Sequence, residues 1–398
     1  MMGALSGLKI ADFSWVGAGP RATKDLADNG ATVIKIESAK RLDLGRRSPP
    51  FANGDRTNPD ASAFFAQTNT SKKSVTINLS DPRGVDVARE LVAWADVVVE
   101  NFGPGYMERI GLGFDDLKAV NPKVILASVS VAGRTGPLSG FRGYGNSAAA
   151  YSGHADMTGW PGSEPHMPPY AYGDVVAPMF LTVAILAALE TRDDTGKGCH
   201  VDVSQIEAMV HVASGLFAEM PDEKPANGDP DMCPHGVFPC SGDEQWIAIA
   251  CEGDAQWRAL CGVLGAGELE ANPDHQTLTG RLAGRDALHT QLARLTRGRD
   301  KHTLAAELAA AGVAAAAVLD GKELSEHPDL NAAGHFVTVD HPVLGPSKMP
   351  APPYTLSETP PKIGPSPCLG QHNSEVFEGL LEMDAATVEQ LISEGVLV

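Results

Sequence analysis

The feature that most limits the fold of this chain is a repeated exchange of hydrophobic period in its first third. Residues 8–13 form a short apolar run, Gly17-Ala18-Gly19-Pro20 a turn, 21–29 a stretch with helical spacing, and 31–36 a second apolar run. Together these predict a βαβ unit. The alternation continues through strands at 74–79, 97–99 and 124–128, with a helix over about 82–95 between the first two. Strands separated by crossover helices pair in parallel, so the expected fold is α/β, a mostly parallel sheet covered by helices, with ligands at the carboxyl ends of the strands. The first turn has no GxGxxG, so NAD and FAD are not predicted. A second glycine stretch, Gly262-Val263-Leu264-Gly265-Ala266-Gly267, follows no clear strand and reads as a loop after a helix.

From Pro221 to Pro230 the sequence turns to Pro, Asp, Asn and Gly and reads as a linker. Beyond it, 245–251 is a strand and 255–264, 285–296 and 303–311 are helices. The alanine-rich 314–319 is a strand by its position after Gly312, although its composition suits a helix equally. A Pro-rich stretch over 342–367 leads away from this unit, and two short helices, 374–381 and 385–394, take the C-terminus back to the first. The expected organisation is a large domain over 1–220, a smaller inserted α/β domain over 221–335, and a linker with a returning C-terminal segment over 336–398.

A formal net charge of -19 over 398 residues argues against nucleic acid or an anionic membrane as partner, because the average field repels polyanions. The first residues lack the charged and apolar regions of a signal peptide, and no apolar run reads as long enough to span a membrane, so a cytoplasmic protein is expected. Six cysteines, at 199, 233, 240, 251, 261 and 368, form no CxxC pair, and neither a disulfide framework nor a metal site is predicted. Against the acidic background, basic residues gather beside the loops of the predicted sheet. Lys35, Lys40, Arg41, Arg46 and Arg47 follow the second strand, Lys72 and Lys73 precede the third, and Arg109 follows Asn101-Phe102-Gly103-Pro104-Gly105. Read singly, each is a solvated surface charge. As a set with Phe102, they suit a ligand carrying phosphates and an adenine.

Asp174 is a lone carboxylate between Gly173 and an apolar run, 175–189, broken only by Thr182 and closed by a polar, glycine-containing stretch ending at Gly198. The pattern predicts a buried helix with Asp174 at its mouth. Two roles follow from that place and both stay open: a cap for the free amides of the first turn, or a nucleophile whose acyl adducts the same amides stabilise.

Several segments, in order along nearly the whole chain, carry a resemblance. They are Asp12-Phe13 with Ala18-Gly19-Pro20, the run from Gly30 to Glu37, Lys72-Lys73-Ser74-Val75, Glu100-Asn101-Phe102-Gly103-Pro104-Gly105, Asn121-Pro122-Lys123-Val124-Ile125, Gly173-Asp174, the run from Ile185 to Glu190, and Leu369-Gly370-Gln371-His372. As a set they resemble the class III (family III) CoA-transferases. The resemblance implies a two-domain subunit, a Rossmann-like large domain with a smaller one, in an interlocked homodimer. It implies Asp174 as the acyl-carrying nucleophile, and Val16, Ile77, Asn101, Phe102 and Arg109, with Lys35 and Lys72, against CoA. The substrates it implies are an acyl-CoA and a carboxylic acid, with coenzyme A as substrate and no tightly bound cofactor or metal.

The chemistry so implied runs from an aspartyl mixed anhydride to an aspartyl-CoA thioester and back, in a site that excludes water. Two departures bear on specificity. The oxalate branch has a glutamine where this chain has Gly17, and its tetraglycine loop is replaced by 233–240, where His235 is a candidate pocket residue. Gly17 beside Trp15 leaves room for a bulkier acyl group, as in the benzylsuccinate branch. A sister branch, the 2-methylacyl-CoA racemases, needs a histidine near Gly143-Tyr144-Gly145-Asn146; none stands there, and His154 lies too far along. An inactive CoA-binding partner subunit in a heteromer is a third reading, against which Asp174 stands.

Overall fold

In the computed structural model residues 3–217 and 226–398 are described, so positions 221–225 of the expected linker lie outside the described residues. The chain divides into two compact units, one of Met1–Met157, Pro165–Met220 and Pro328–Val398, the other of Thr158–Glu164 and Pro221–His327. The second unit therefore ends before residue 335 and takes in a short early segment that carried no such signal in the sequence.

The first unit is built on six strands, β1 (Lys9–Asp12), β2 (Thr32–Glu37), β3 (Lys73–Thr76), β4 (Val97–Glu100), β5 (Ile125–Ser130) and β6 (His200–Ser204). All pairs are parallel, in the order β3-β2-β1-β4-β5-β6. The central strands are short runs of Val, Ile, Leu and Ala buried on both faces, as a sheet covered by helices requires. One core cluster, with Ile34, Val75, Leu91 and Val98, lies on one face; the other, with Ile10, Val33, Val97 and Ile125, lies opposite. β6 was not foreseen, because His200-Val201-Asp202-Val203-Ser204 alternates polar and apolar at an open edge instead of forming an apolar run.

The helix after β1 is Ala18–Asp28, so Ala18-Gly19-Pro20 is its first turn and not a separate turn. Gly17 is the N-cap, and Pro20 sits where the missing N–H has no helical partner to lose. The Pro82–Trp94 helix starts as its sequence dictates, with the Asp81 side chain accepting from Arg83 N and Pro at its first position. The predicted helix at Asp174 spans Gly173–Thr195 and ends at Gly196 with φ 70°. By length and composition it would suit a membrane span, contrary to the expectation that no run was long enough. Here Val176, Ala177, Leu181 and Ile185 are buried in the core on the sheet, while Met179, Val183 and Leu186 are exposed.

The C-terminal segment returns to this unit and covers the outer edge of β3. His372 N donates to Ser74 O (2.9 Å), Ser74 N to His372 Nδ1 (3.1 Å), Thr76 N to Asn373 Oδ1 (2.9 Å) and Asn78 N to Val396 O (2.7 Å).

The second unit holds an antiparallel sheet, β7 (His235–Pro239), β8 (Trp246–Ala250) and β9 (Ala314–Ala317). Three helices, Asp254–Leu264, Arg285–Thr296 and Lys301–Ala310, close its core around Trp257, Leu288, Leu292, Leu304 and Leu308. The stretch 233–240, expected as a loop over the site, is instead edge strand β7 with Cys233 and Cys240 buried beside it. Pro239 is tolerated because β7 has a free edge, and Pro234 lies just before the strand. His235 belongs to this strand, its Nδ1 3.3 Å from Asn227 O. In the first unit, a hairpin of β10 (Phe336–His341) and β11 (Gly345–Pro350) occupies the start of the 336–398 segment read as linker and return. The fold is thus α/β, a six-stranded parallel sheet with small antiparallel sheets added.

Candidate active site

The chain runs outward from β1 to β3 on one side, then crosses back to β4 on the other. That reversal leaves a crevice at the carboxyl ends of β1 and β4, where loops diverge. A cleft of about 710 Å³ occupies this place, lined by Trp15-Val16-Gly17 after β1, Asn101-Phe102 after β4, Val129 to Val131 at the end of β5, Gln205 after β6, and Asp174.

The turn after β1 is held from both sides. Asn101 bridges the crevice, its Oδ1 accepting from Trp15 N and its Nδ2 donating to Trp15 O, both at 2.7 Å. Val16 has φ 64°, a left-handed conformation costly for a β-branched residue, and its N–H donates to Asp43 Oδ1 at 2.9 Å. A Cβ at Gly17 would lie 3.2 Å from Asp174 Cβ and 3.4 Å from its Cγ.

Beneath the turn lies a buried ionic layer, and two predicted ligand residues belong to it. Lys35, 0% exposed, donates to Ser14 O (2.6 Å) and pairs with Asp43 (3.0 Å). Lys72, 3% exposed, donates to Asp12 Oδ2 (3.0 Å), Pro20 O (2.9 Å) and Asn69 Oδ1 (2.9 Å). Asp12 also accepts from Ser14 N and Oγ and from Thr23 Oγ1. Burial works to raise the Asp12 pKa, but Lys72 and Lys35 hold it down at about 2. Burial pushes Lys72 down to about 8, against the pull of Asp12. For Lys35 burial again acts downward, yet Asp43, Asp12 and Glu37 raise it. Neither lysine lines the cleft, because each is consumed by carboxylates and carbonyls underneath. Arg46 is spent likewise, on Glu37 and Asp60. Ile77, also expected against the ligand, is a core residue outside the cleft lining.

The remaining predicted residues do face the cleft. The rings of Trp15 and Phe102 meet edge to face at 5.6 Å, and Phe102 packs on Tyr106 at 4.6 Å. Arg41 stacks over Trp15 at 5.4 Å and Arg109 over Tyr106 at 5.9 Å. Among the described residues, Arg41, Arg109 and the nearby Arg142 have no carboxylate partner, so the cleft presents three uncompensated guanidinium groups beside an aromatic surface. Glu100, buried below, fixes the turn: its Oε2 accepts from Phe102 N (2.8 Å) and its Oε1 from Arg134 (2.9 Å). Burial raises the Glu100 pKa despite Ser128 and Arg134.

Asp174 sits in the first turn of its helix but does not cap it. The N-cap is Tyr172, and the Asp174 carboxylate accepts from Gly145 N at 3.2 Å and Gln205 Nε2 at 2.8 Å, groups from other helices. The helix starts approach closely because both carry glycine: a Cβ at Gly145 would fall 2.5 Å from Asp174 N, and one at Gly173 would fall 2.9 Å from Ala148 Cβ. Burial raises the Asp174 pKa, opposed by the Gly145 N–H, Gln205 and the charge of Arg21. A carboxylate so placed, ionisable and open to a cleft with cations and aromatic rings, can attack an electrophilic carbon of a bound anionic ligand. Among the described residues no histidine lines the cleft; His154 packs against Tyr172, with ring centroids 5.7 Å apart.

Gln205, Tyr106, Arg142 and Arg21 were missed as site residues in the sequence. For Gln205 the signal was its place directly after a strand at the carboxyl edge of the sheet, but β6 itself went unread.

Comparison with known proteins gives a consistent result. Residues 5–373 match the family described as CoA-transferase family III. The human protein named succinyl-CoA:glutarate CoA-transferase is 30% identical over 99% of this chain and 90% of its own length. The formyl-CoA:oxalate CoA-transferase of Streptomyces coelicolor is 31% identical over 99% of both chains. A crystal structure of a CAIB/BAIF family protein from Brucella suis superposes with a TM-score of 0.88 at 32% identity, covering 96% of this chain and all of that one.

Proposed function

Because the chain belongs to CoA-transferase family III, we propose that this enzyme moves CoA from an acyl-CoA thioester to a carboxylic acid through covalent intermediates on Asp174. Relatives named for succinyl-CoA:glutarate and formyl-CoA:oxalate transfer support a CoA thioester as donor and an acid as acceptor. The observation that carries the reading is that the Asp174 carboxylate opens on the same cleft as the Trp15, Phe102 and Tyr106 rings and the unpaired Arg41, Arg109 and Arg142. The rings and guanidinium groups suit the adenine and phosphates of CoA. Val16, Asn101, Phe102 and Arg109 contact CoA in this reading, while Lys35 and Lys72 act from below, by holding the turn that carries Val16.

In the first step the Asp174 carboxylate attacks the thioester carbon, the C–S bond breaks and CoA leaves as thiolate, giving a mixed anhydride. The bound thiolate then attacks the aspartyl carbon, freeing the donor acid and leaving an aspartyl-CoA thioester. The acceptor acid runs the two steps in reverse. The energy of the thioester is conserved throughout. A proton abstraction mechanism is not favoured, since no histidine lines the cleft to serve as second base. The Gly17 gap next to Asp174 supports acyl groups larger than oxalate.

Two interlocked copies form the working enzyme in this reading. The exposed stripe of Met179, Val183 and Leu186 on the Asp174 helix supports a second copy as its cover. A two-chain mass in sedimentation equilibrium is the expected result, and a monomeric active species would remove this element.

The function is tested by incubating the protein with succinyl-CoA, trapping with hydroxylamine and mapping the adduct by peptide mass. The expected result is an Asp174 hydroxamate. An unmodified Asp174 during turnover, or an Asp174→Ala protein that still transfers CoA, would overturn it. Deuterium entering the acyl α-carbon from solvent without acid-dependent CoA exchange would instead support the racemase chemistry.

A further inference from the structure

We infer that Gln205 is the oxyanion donor for the aspartyl carbonyl and makes the two oxygens of Asp174 unequal, Oδ1 permanently held and Oδ2 exchanged at every turnover. The inference rests on the reading of Asp174 as nucleophile. It begins with a constraint on the Gln205 side chain, which is 4% exposed and lines the cleft. A carboxylate only accepts hydrogen bonds, so the Gln205 NH₂ must face Asp174, with Nε2 at 2.8 Å from Oδ1. That orientation leaves Gln205 Oε1 buried with no hydrogen-bond partner among the described residues, an arrangement that packing alone does not favour. Gln205 is the first residue of the Gln205–Val212 helix, whose start is fixed by Ser204 accepting from Glu207 N. The amide therefore comes from a rigid strand-to-helix junction. Oδ2 meets only the longer contact from Gly145 N, 3.2 Å, and faces the open position at Gly17, where a Cβ would still be 3.7 Å away.

The consequences follow atom by atom. Oδ2 has the room to attack, so the anhydride bridge is Oδ2 and Oδ1 becomes the aspartyl carbonyl oxygen. When the thiolate attacks the aspartyl carbon, the electron pair moves onto Oδ1, where the Gln205 N–H waits. Collapse breaks the carbon–Oδ2 bond, and Oδ2 departs in the donor acid. The acceptor acid then attacks the aspartyl thioester, again placing charge on Oδ1, and expels the thiolate. In the last step the thiolate takes the acceptor's acyl carbon, and the acceptor's bridging oxygen stays behind as the new Oδ2. Gln205 thus serves the two tetrahedral species centred on the protein's carbonyl, not those centred on the substrate's.

The test uses the full-length protein, succinyl-CoA as donor and glutarate labelled with oxygen-18 in both carboxylates as acceptor. After many turnovers, mass mapping of the wild-type Asp174 peptide is expected to show one labelled oxygen and no second. Gln205→Met, which keeps the bulk and removes the donor, is expected to lower kcat on the order of 10²–10³-fold. Its KM for acyl-CoA should stay within about twofold, since the amide serves the aspartyl carbonyl and Arg41 and Arg109 remain in place, and a second label should enter as the freed carboxylate rotates. Gln205→Glu offers a donor only when protonated, so its rate should fall with rising pH where the wild-type rate levels off.

Two labelled oxygens in the wild type would overturn the inference, as would a Gln205→Met enzyme within threefold of wild-type kcat. A loss of kcat accompanied by a matching rise in KM and a fall in melting temperature, with one label retained, would make Gln205 structural only and overturn it too. Should Gln205→Met fail to fold, the wild-type label count and the Gln205→Glu pH profile still decide. Failure of the underlying reading is separate: it appears as a wild-type Asp174 that takes no adduct and no label at all.

Discussion

Two groups of cations lie beside the same turn and do opposite things. Lys35, Lys72 and Arg46 are buried and fully paired, below the turn that follows β1; Arg41, Arg109 and Arg142 lie in the cleft above it without carboxylate partners. The difference is not in residue type or in closeness to a strand end. Lys35 stands directly opposite Asp12 in the β1–β2 register, so its side chain enters a layer that already holds Asp12 and Asp43. Arg41, four residues past the end of β2, has left the sheet and lies over the Trp15 ring. A buried cation is thus identified by its carboxylate, and a cleft cation by the lack of one.

This contrast breaks most sharply at Lys72. Replacement by Met leaves Asp12 charged and buried, and is expected to destabilise the protein by about 3–5 kcal/mol, read from denaturant unfolding. A stable Lys72→Met protein with a raised KM for acyl-CoA would instead return Lys72 to the ligand. The cleft cations should behave inversely. Arg41→Ala and Arg109→Ala are each expected to weaken acyl-CoA binding about tenfold, from the loss of charge-assisted hydrogen bonds, while stability stays within about 0.5 kcal/mol. Their effect should shrink as salt is added, whereas that of Lys72→Met should not, because only exposed charges are screened well.

Smaller effects sharpen the picture around Asp174. As pH falls, the transfer rate should drop with a midpoint above that of an ordinary aspartate, since burial raises its pKa and only the ionised form attacks. Arg21→Met should move the midpoint further up, as a charge that favours the carboxylate is lost. The same shift has a stability sign. A carboxyl whose folded-state pKa is raised costs stability once ionised, so Asp174→Asn should be more stable than wild type near pH 7, with the difference closing as pH falls from the raised folded-state value toward that of an ordinary aspartate. Calorimetry across that range checks it. Gly17→Ala, whose Cβ would press on Asp174 at 3.2 Å, is expected to discriminate mildly against long acyl groups in kcat/KM.

Much of this architecture could be read from the sequence. Five of the six parallel strands were visible as apolar runs, and the return of the C-terminus followed from the Pro-rich stretch and two short helices. Asp174, Asn101, Phe102, Val16 and Arg109 do converge on one cleft. What escaped detection escaped for physical reasons. β6 and β7 are edge strands, one alternating polar and apolar, the other ending in a proline and preceded by another, and neither has the apolar signature of a central strand. The fate of Lys35 and Lys72 depended on register and on Asp12 and Asp43, partners that only the folded sheet brings within reach. Gln205 was hidden behind the unread β6, and the cap reading of Asp174 failed because its donors come from distant helices.

The covering of β3 by residues 372–396 has a consequence for biosynthesis. β3 is complete once residue 76 has been made, yet the groups that satisfy Ser74, Thr76 and Asn78 belong to residues 372, 373 and 396. Roughly three hundred residues are therefore translated while that strand still presents bare amides and carbonyls, the kind of edge that recruits strands from other chains. A nascent protein of this kind stays open to mispairing until residues 372–396 have been made, and a stop near residue 370 leaves the hazard permanent.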